Sequence, residues 1–87
     1  MSEDPKYVIA ENEIEGGTEV FVLSVIHNHS SVVKHFHKVV SAGFFQIFIN
    51  DKGRPDICCY GKSVTLEVES RPEKDSVLLQ RFFNLLN

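Results

Sequence analysis

The sequence predicts a single small α+β domain with a mostly antiparallel sheet and two helices, in the chain order β-β-α-β-β-β-α. The apolar residues are mainly β-branched or aromatic, with 11 Val, 6 Ile and 7 Phe against 6 Leu and 2 Ala, and such residues favour strands. Glycine-containing turns separate short apolar segments, and two longer segments carry apolar residues at helical spacing. Because 87 residues can supply one core, we expect a flexible tail at residues 1–5 and one domain at residues 6–87.

Composition and charge argue against several classes of protein. No run of ~18 apolar residues exists that could span a membrane, and the first residues are acidic where a signal peptide is basic. The net charge of −3 and the pI of 5.7 argue against nucleic-acid binding, which normally needs a basic surface. The adjacent Cys58 and Cys59 cannot pair without strain, which favours a reducing compartment. We therefore expect a cytoplasmic protein without a nucleic-acid partner.

The first two strands are predicted to form a hairpin around Gly16-Gly17, because this pair is typical of two-residue turns. Such a turn places Ala10 opposite Leu23. The first strand carries several glutamates, as protected sheet edges often do. The second strand, residues 19–26, is apolar on both faces, which predicts a central strand that is covered on both sides.

A helix is predicted over residues 30–42, because apolar residues recur there at intervals of three and four. Ser30 can cap its first turn, and Gly43 is the kind of residue that ends a helix. The apolar stripe would face the sheet. It consists of Val32, Val33, Phe36, Val39 and Val40.

Three further strands and a second helix complete the predicted order. The strands lie at residues 44–49, 56–60 and 63–69, and the last alternates apolar and polar residues like a strand with one solvent-facing side. Residues 70–73 have the Ser-x-x-Glu pattern of a helix N-terminus, and this helix is predicted over residues 72–86. Its apolar residues cover more than one face, so that the helix would be deeply buried or shared with a second chain. The main stripe consists of Leu78, Phe82, Leu85 and Leu86, with Leu79 beside it.

All four histidines lie within eleven residues, in two His-x-His pairs: His27, His29, His35 and His37. Imidazole is the commonest metal-ligand side chain, and a transition metal such as zinc needs three or four ligands at one point. Residues two apart on a helix point in different directions. The candidate metal ligands are therefore His27, His29 and His37. The alternative is that the histidines are solvated polar residues at a strand-to-helix corner.

The same corner could bind an anion instead of a metal. Residues 27–31 lead from a strand into the predicted helix, where free backbone N–H groups, hydroxyls and protonated imidazoles would gather. The candidate anion-binding residues are His27, His29, Ser30, Ser31 and Lys34. The alternative is that Ser30 simply caps the helix.

Enzymatic chemistry has little support in the sequence. Nothing near Cys58 or Cys59 would lower the pKa of a thiol, and Cys59 shares a strand face with Ile57, as a core residue would. Three glutamates, Glu11, Glu13 and Glu15, would line one strand face, where they either protect an edge or dock a basic partner. The sequence thus favours a protein that is not an enzyme and needs no cofactor.

Surplus apolar surface is the basis of the leading hypothesis, a small non-catalytic interaction or regulatory module that forms a homodimer or binds another protein. Large exposed apolar patches usually mark interaction sites, and two-fold dimers are the commonest assemblies. The far face of the second strand and the broad apolar arc of the second helix exceed the needs of one small core. The predicted interface residues are Val20, Val22, Leu79, Phe83 and Leu86. The competing hypothesis is the histidine corner, with a metal such as zinc or an anion as its ligand.

Overall fold

The structure is a computed structural model that describes residues 4–24 and 26–85. Its elements are β1 (Lys6–Asn12), β2 (Thr18–Leu23), a 3₁₀ turn at His29–Val32, β3 (His37–Ile49), β4 (Pro55–Tyr60), β5 (Lys62–Ser63), β6 (Val68–Glu69) and the helix α1 (Pro72–Phe82). Four strands form an antiparallel sheet in the order β2-β1-β3-β4, and β5 and β6 form a small hairpin. The predicted α+β class and antiparallel sheet are confirmed. Within the described residues, no helix is long and apolar enough to cross a membrane.

The helix predicted over residues 30–42 is wrong. Residues 29–32 form one 3₁₀ turn, and from His37 the chain continues as the long strand β3. Val39 and Val40, which a helix would place on one stripe, pack on opposite faces of the sheet. Strand pairing with β1 supplies long-range backbone hydrogen bonds and suits the β-branched residues, so tertiary pairing overrides the local helical spacing. The predicted strand at residues 44–49 is the second half of β3.

The predicted places of the first two strands are reversed. The central strand is β1, whose residues 7–10 are completely buried, whereas β2 lies at the edge. The register is also different, since Ala10 pairs with Glu19 and Leu23 pairs with Lys6. The turn is longer than two residues because the Asn12 side-chain oxygen accepts hydrogen bonds from the backbone N–H groups of residues 14 and 15. Of the predicted acidic ladder, Glu13 and Glu15 consequently lie in the turn.

The strand predicted over residues 63–69 is a short hairpin instead. β5 and β6 have two residues each, and the turn between them contains Glu67 with a positive φ of 55°. Val64, predicted to face inward, is 78% exposed. The predicted strand at residues 56–60 agrees with β4.

The helix α1 ends at Phe82, earlier than predicted, and begins without a side-chain cap from Ser70. Its buried face is centred on Asp75 and Leu79 rather than on the predicted stripe, and Phe82 is half exposed. Leu79 joins the core between α1 and one sheet face. That core consists of Tyr7, Ile9, Phe45, Ile57, Cys59 and Leu79.

The second face of the sheet is covered by the chain itself. Val8, Leu23 and Ala42 form a smaller buried cluster there. The end of the 3₁₀ turn, the residue that follows it and the β5–β6 hairpin pack against this cluster through Val32, Val33, Leu66 and Val68. Both cores therefore meet at β1, and the loops that cover the second face also build the pocket described next.

Candidate functional site

A small pocket opens where the start of β1, the 3₁₀ turn and the β5–β6 hairpin meet. Its volume is about 170 Å³. We call it the cationic pocket, since two lysines and a histidine line it and no acidic residue does. The lining residues are Lys6, Asn28, His29, Phe44, Lys62, Val64 and Thr65.

The two lysines reach the pocket from distant parts of the sequence. Lys6 begins β1, and its Nζ donates a hydrogen bond to the backbone oxygen of His27, 2.7 Å away. Lys62 begins β5, directly after the turn at Gly61. Neither ammonium group lies within 4 Å of a carboxylate among the described residues. Among these residues, neither lysine is therefore held in an ion pair, although Glu69 lies opposite Lys62 in the β5–β6 hairpin.

His29 is buried at the base of the pocket. Its Nε2 donates a hydrogen bond to the Gly43 oxygen at 2.8 Å, because a carbonyl oxygen can only accept. The His29 ring lies edge-on to the Phe44 ring, with 5.5 Å between the ring centroids. Burial lowers the pKa of His29, and the nearby Lys6 charge lowers it further, although the bond to Gly43 opposes both. The neutral ring thus leaves Nδ1 as an acceptor, and no described residue bonds to it.

Two glycines are required by this geometry. A Cβ on Gly43 would lie 2.4 Å from the backbone oxygen of Tyr60, which is far inside van der Waals contact. Gly61 has a φ of +79°, and a Cβ there would come within 3.0 Å of the Phe44 ring. Glycine therefore permits both the close approach of β3 to β4 and the turn that carries Lys62.

Of the residues predicted for an anion site, His29 alone lines the cationic pocket, and the others are exposed. His27 contacts Ser24 at 2.8 Å through Nδ1, and Ser31 Oγ donates to the Asn28 oxygen. In the described part of the chain, the side chains of Ser30 and Lys34 form no hydrogen bond or ion pair with the pocket lining. Sequence reasoning missed Lys6 and Lys62, because no local pattern connects residues so far apart.

The residues predicted to bind a metal are not brought together. His37 Nδ1 accepts the Lys34 backbone N–H, and its Nε2 lies 3.4 Å from Glu19 Oε1. His29 is committed to Gly43, and His27 lies outside the pocket. Among residues 4–24 and 26–85, no group of three His, Cys, Asp or Glu side chains could hold a metal ion.

A buried polar network attaches α1 to the sheet, and sequence reasoning missed it. The carboxylate of Asp75 is completely buried and accepts hydrogen bonds from Tyr7 Oη at 2.5 Å and Ser41 Oγ at 2.8 Å. Arg71 adds its backbone N–H and a salt bridge. Burial and Asp75 raise the pKa of Tyr7. The spacing of four between Asp75 and Leu79 was the available signal, since it places a carboxylate on the buried face.

Cys59 lies beside this network and is buried, as predicted, whereas Cys58 is exposed. Burial raises the pKa of the Cys59 thiol, and hydrogen bonds with Ser76 and Tyr7 partly oppose that effect. A buried thiol with a raised pKa is a poor nucleophile.

The predicted interface residues occupy different environments. Leu79 is completely buried, Val20 and Phe83 are half-buried against the same core, and Val22 is partly exposed. Leu86 lies outside the described residues. An interface through these residues stays a prediction.

The chain matches no protein-family model, and neither a curated protein nor a solved structure matches it at a significant level. Its function has to be inferred from the geometry of its own residues.

Proposed function

We propose that this protein is a non-catalytic binding module that takes up a small anionic group, such as a phosphate or a carboxylate, in the cationic pocket. The observation that carries this proposal is the convergence of Lys6, Lys62 and the buried His29 on one pocket without a lining acid. The protein as a whole is acidic, with a net charge of −3. A local excess of positive charge in such a chain favours an anionic ligand.

The distribution of acidic residues supports the same conclusion. The glutamates of the β1–β2 hairpin, Glu11, Glu13, Glu15 and Glu19, lie at or beyond the opposite end of β1 from Lys6. A strand of seven residues separates these ends by roughly 20 Å, which exceeds the Debye length at physiological salt. These four glutamates therefore do little to neutralise the pocket, and the nearer acids are Glu69, opposite Lys62 in the β5–β6 hairpin, and Glu67 in its turn, neither of which lines the pocket.

The pocket offers several donors to an anion. The Lys6 ammonium uses one proton on the His27 oxygen and retains two. The Lys62 ammonium, the Asn28 amide and the Thr65 hydroxyl add further donors. A bound anion would also favour the protonated form of His29, whose Nδ1 would then donate as well.

The size of the pocket limits the ligand. Pockets for drug-sized molecules occupy about 300–1,000 Å³, whereas this one occupies about 170 Å³. One phosphate or carboxylate group fits that volume, with any remainder of the ligand left outside. In the described residues, the pocket pairs no nucleophile with a base, because the Thr65 hydroxyl contacts Ser63 instead of His29. Binding without chemistry is the function that this arrangement supports.

The test is a titration of inorganic phosphate into isotope-labelled protein, followed by amide NMR. We expect saturable shift changes centred on residues 28, 29, 62 and 65. Lys6→Gln and Lys62→Gln should each weaken binding by about tenfold or more, because each removes a charge-assisted hydrogen bond. Lys74→Gln is the matched control, since Lys74 is exposed on α1 and outside the pocket.

Two results would contradict the proposal. One is equal phosphate affinity in the wild type, the pocket variants and the Lys74→Gln control. The other is a set of shift changes spread over all lysines, as expected of nonspecific ionic contact. Urea unfolding of each variant checks that a loss of binding does not come from a loss of folding.

A further inference from the structure

The two most exposed large apolar side chains of the described residues both lie beside the cationic pocket. Val64 is 78% exposed and Ile26 is 85% exposed. Val64 lines the pocket from the turn between β5 and β6. Ile26 directly precedes His27, whose backbone oxygen accepts the hydrogen bond from Lys6. Because exposed apolar side chains that lie close together often mark a binding surface, the entrance of the pocket is suited to an apolar group as well as to a charge.

We propose that the ligand of the cationic pocket is an amphiphilic anion, which consists of one small anionic head and an uncharged apolar body, as in an alkyl phosphate. The head would lie between Lys6, Lys62 and His29, and the body would leave the pocket over Val64. This inference rests on the proposed function and adds the chemical class of the ligand. A free alkyl phosphate and the headgroup of an anionic lipid share this chemistry.

The wall of the pocket has an apolar part beside its charged part. Phe44 lines the pocket, and its ring stacks on the Tyr60 ring with 5.8 Å between the centroids. Together with the edge-on contact to His29, this stacking holds the Phe44 ring in place. Lysine side chains also present apolar stems below their ammonium groups. Sites for small organic ligands commonly combine an apolar wall with a few polar groups in this way.

The volume of the pocket separates the head of the ligand from its body. About 170 Å³ admits one phosphate or carboxylate group, so that a larger ligand extends through the entrance. Val64 lies there, because it lines the pocket and yet remains largely exposed. An apolar body that covers this side chain removes apolar area of both partners from water, which is favourable. A polar body would not gain this free energy.

Acidic residues beside Val64 limit the charge of the body. Glu67 belongs to the same turn, and Glu69 lies opposite Lys62 in the β5–β6 hairpin. Both acids line a neighbouring surface depression together with Val64, but they do not line the cationic pocket. Their charges would repel a second anionic group on the ligand. The site therefore suits one anionic head rather than a chain of phosphates.

A comparison of methyl phosphate with butyl phosphate tests this class of ligand, because both carry the same anionic head. The dissociation constants are measured by NMR titration of the wild-type chain. Butyl phosphate should bind about tenfold more tightly, since its additional CH₂ groups would be partly buried on Val64 and Phe44. The methyl signals of Val64 and the ring signals of Phe44 should shift further with butyl phosphate than with methyl phosphate.

Val64→Ser is the deciding variant, and Ile14→Ser is its matched control. Ile14 is 72% exposed in the β1–β2 turn and does not line the pocket. Val64→Ser should reduce the tenfold advantage of butyl phosphate over methyl phosphate to about threefold or less, because the apolar surface at the entrance is lost. Ile14→Ser should retain the full advantage. Both side chains are exposed, and urea unfolding checks that both variants fold.

Vesicles distinguish a lipid headgroup from a free ligand. Phosphatidylcholine vesicles that contain about a fifth of phosphatidic acid present the anionic head on a bilayer surface. Co-sedimentation of the wild-type chain, reduced in Val64→Ser and retained in Ile14→Ser, assigns the site to a lipid headgroup. Tight binding of butyl phosphate without co-sedimentation assigns it to a soluble amphiphile.

The same titrations separate a failure of this inference from a failure of the proposed function. If methyl and butyl phosphate bind with equal affinity, the ligand has no apolar body, although the pocket remains an anion site. The same conclusion follows if Val64→Ser keeps as large an advantage of butyl phosphate as Ile14→Ser does. If neither phosphate binds, the proposed function itself is wrong.

Discussion

Removing the hydroxyl of Tyr7 should destabilise the protein substantially, because this group joins the central strand to the helix. Tyr7 lies in β1 and donates to the fully buried Asp75 carboxylate of α1 at 2.5 Å. Tyr7→Phe deletes one oxygen atom and preserves the ring, including its edge-on contact with Phe45. The substitution therefore isolates the hydrogen bond from the packing.

The expected loss follows from the partners that remain. A hydrogen bond to a charged group contributes about 1.5–3 kcal/mol. Asp75 keeps Ser41 and three bonds from Arg71, so the carboxylate is not left unpaired and the loss should stay within that range. A chain of 87 residues is typically stable by about 4–13 kcal/mol. The loss is thus a large fraction of the free energy of unfolding, and the melting temperature should fall by roughly 10–20 °C.

Urea unfolding followed by far-UV circular dichroism measures the effect. Tyr60→Phe is the control, because Tyr60 also donates to a carboxylate, that of Asp4, but at a half-buried position. The control should lose less than about 1 kcal/mol. If Tyr7→Phe unfolds within 0.5 kcal/mol of the wild type, or no more easily than Tyr60→Phe, the network does not hold α1 to the sheet.

The other predictions concern pH and one glycine. The folded state lowers the pKa of His29 from its ordinary 6.5, so it binds a proton less readily than the unfolded chain. The contribution of His29 to the free energy of unfolding should be complete above about pH 6.5 and decrease as the pH falls below that value. His29→Gln should remove this pH-dependent contribution in acid unfolding curves. His35→Gln, at an exposed site, should retain it. Gly43→Ala should lose about 1–3 kcal/mol in urea unfolding, because its Cβ would overlap the backbone oxygen of Tyr60. A loss below about 0.5 kcal/mol would contradict the close approach of β3 to β4.

The sequence determined the general type of structure and several of its parts. The dominance of Val, Ile and Phe predicted a sheet-rich α+β chain, which the structure has. The turn around Gly53, the strand that follows it and the helix after Pro72 were found near their observed places. These elements are local, because turn chemistry, alternation and helix-start residues act within a few positions of each other.

The site was only partly predictable. His29 was singled out as a ligand-binding residue, but Lys6 and Lys62 were not. Their convergence depends on the start of β1 meeting the turn before β5, and no spacing within the sequence encodes that meeting. The surface for self-association predicted from the sequence, on β2 and α1, stays a prediction, because its residues occupy different environments in the fold.

Tertiary structure alone decided the rest, and residues 37–42 illustrate why. Their apolar spacing suits a helix, yet they form a strand because β1 offers them a full set of backbone hydrogen bonds and a buried face on each side. Long-range pairing and burial also place the uncharged residues 7–10 of β1 at the centre of the sheet. They bring the carboxylate of Asp75 into the core. The helix and strand propensities of ordinary residues differ by less than about 1 kcal/mol per residue. The pairing of distant segments and the burial of their side chains therefore determine which element forms and which residues come together.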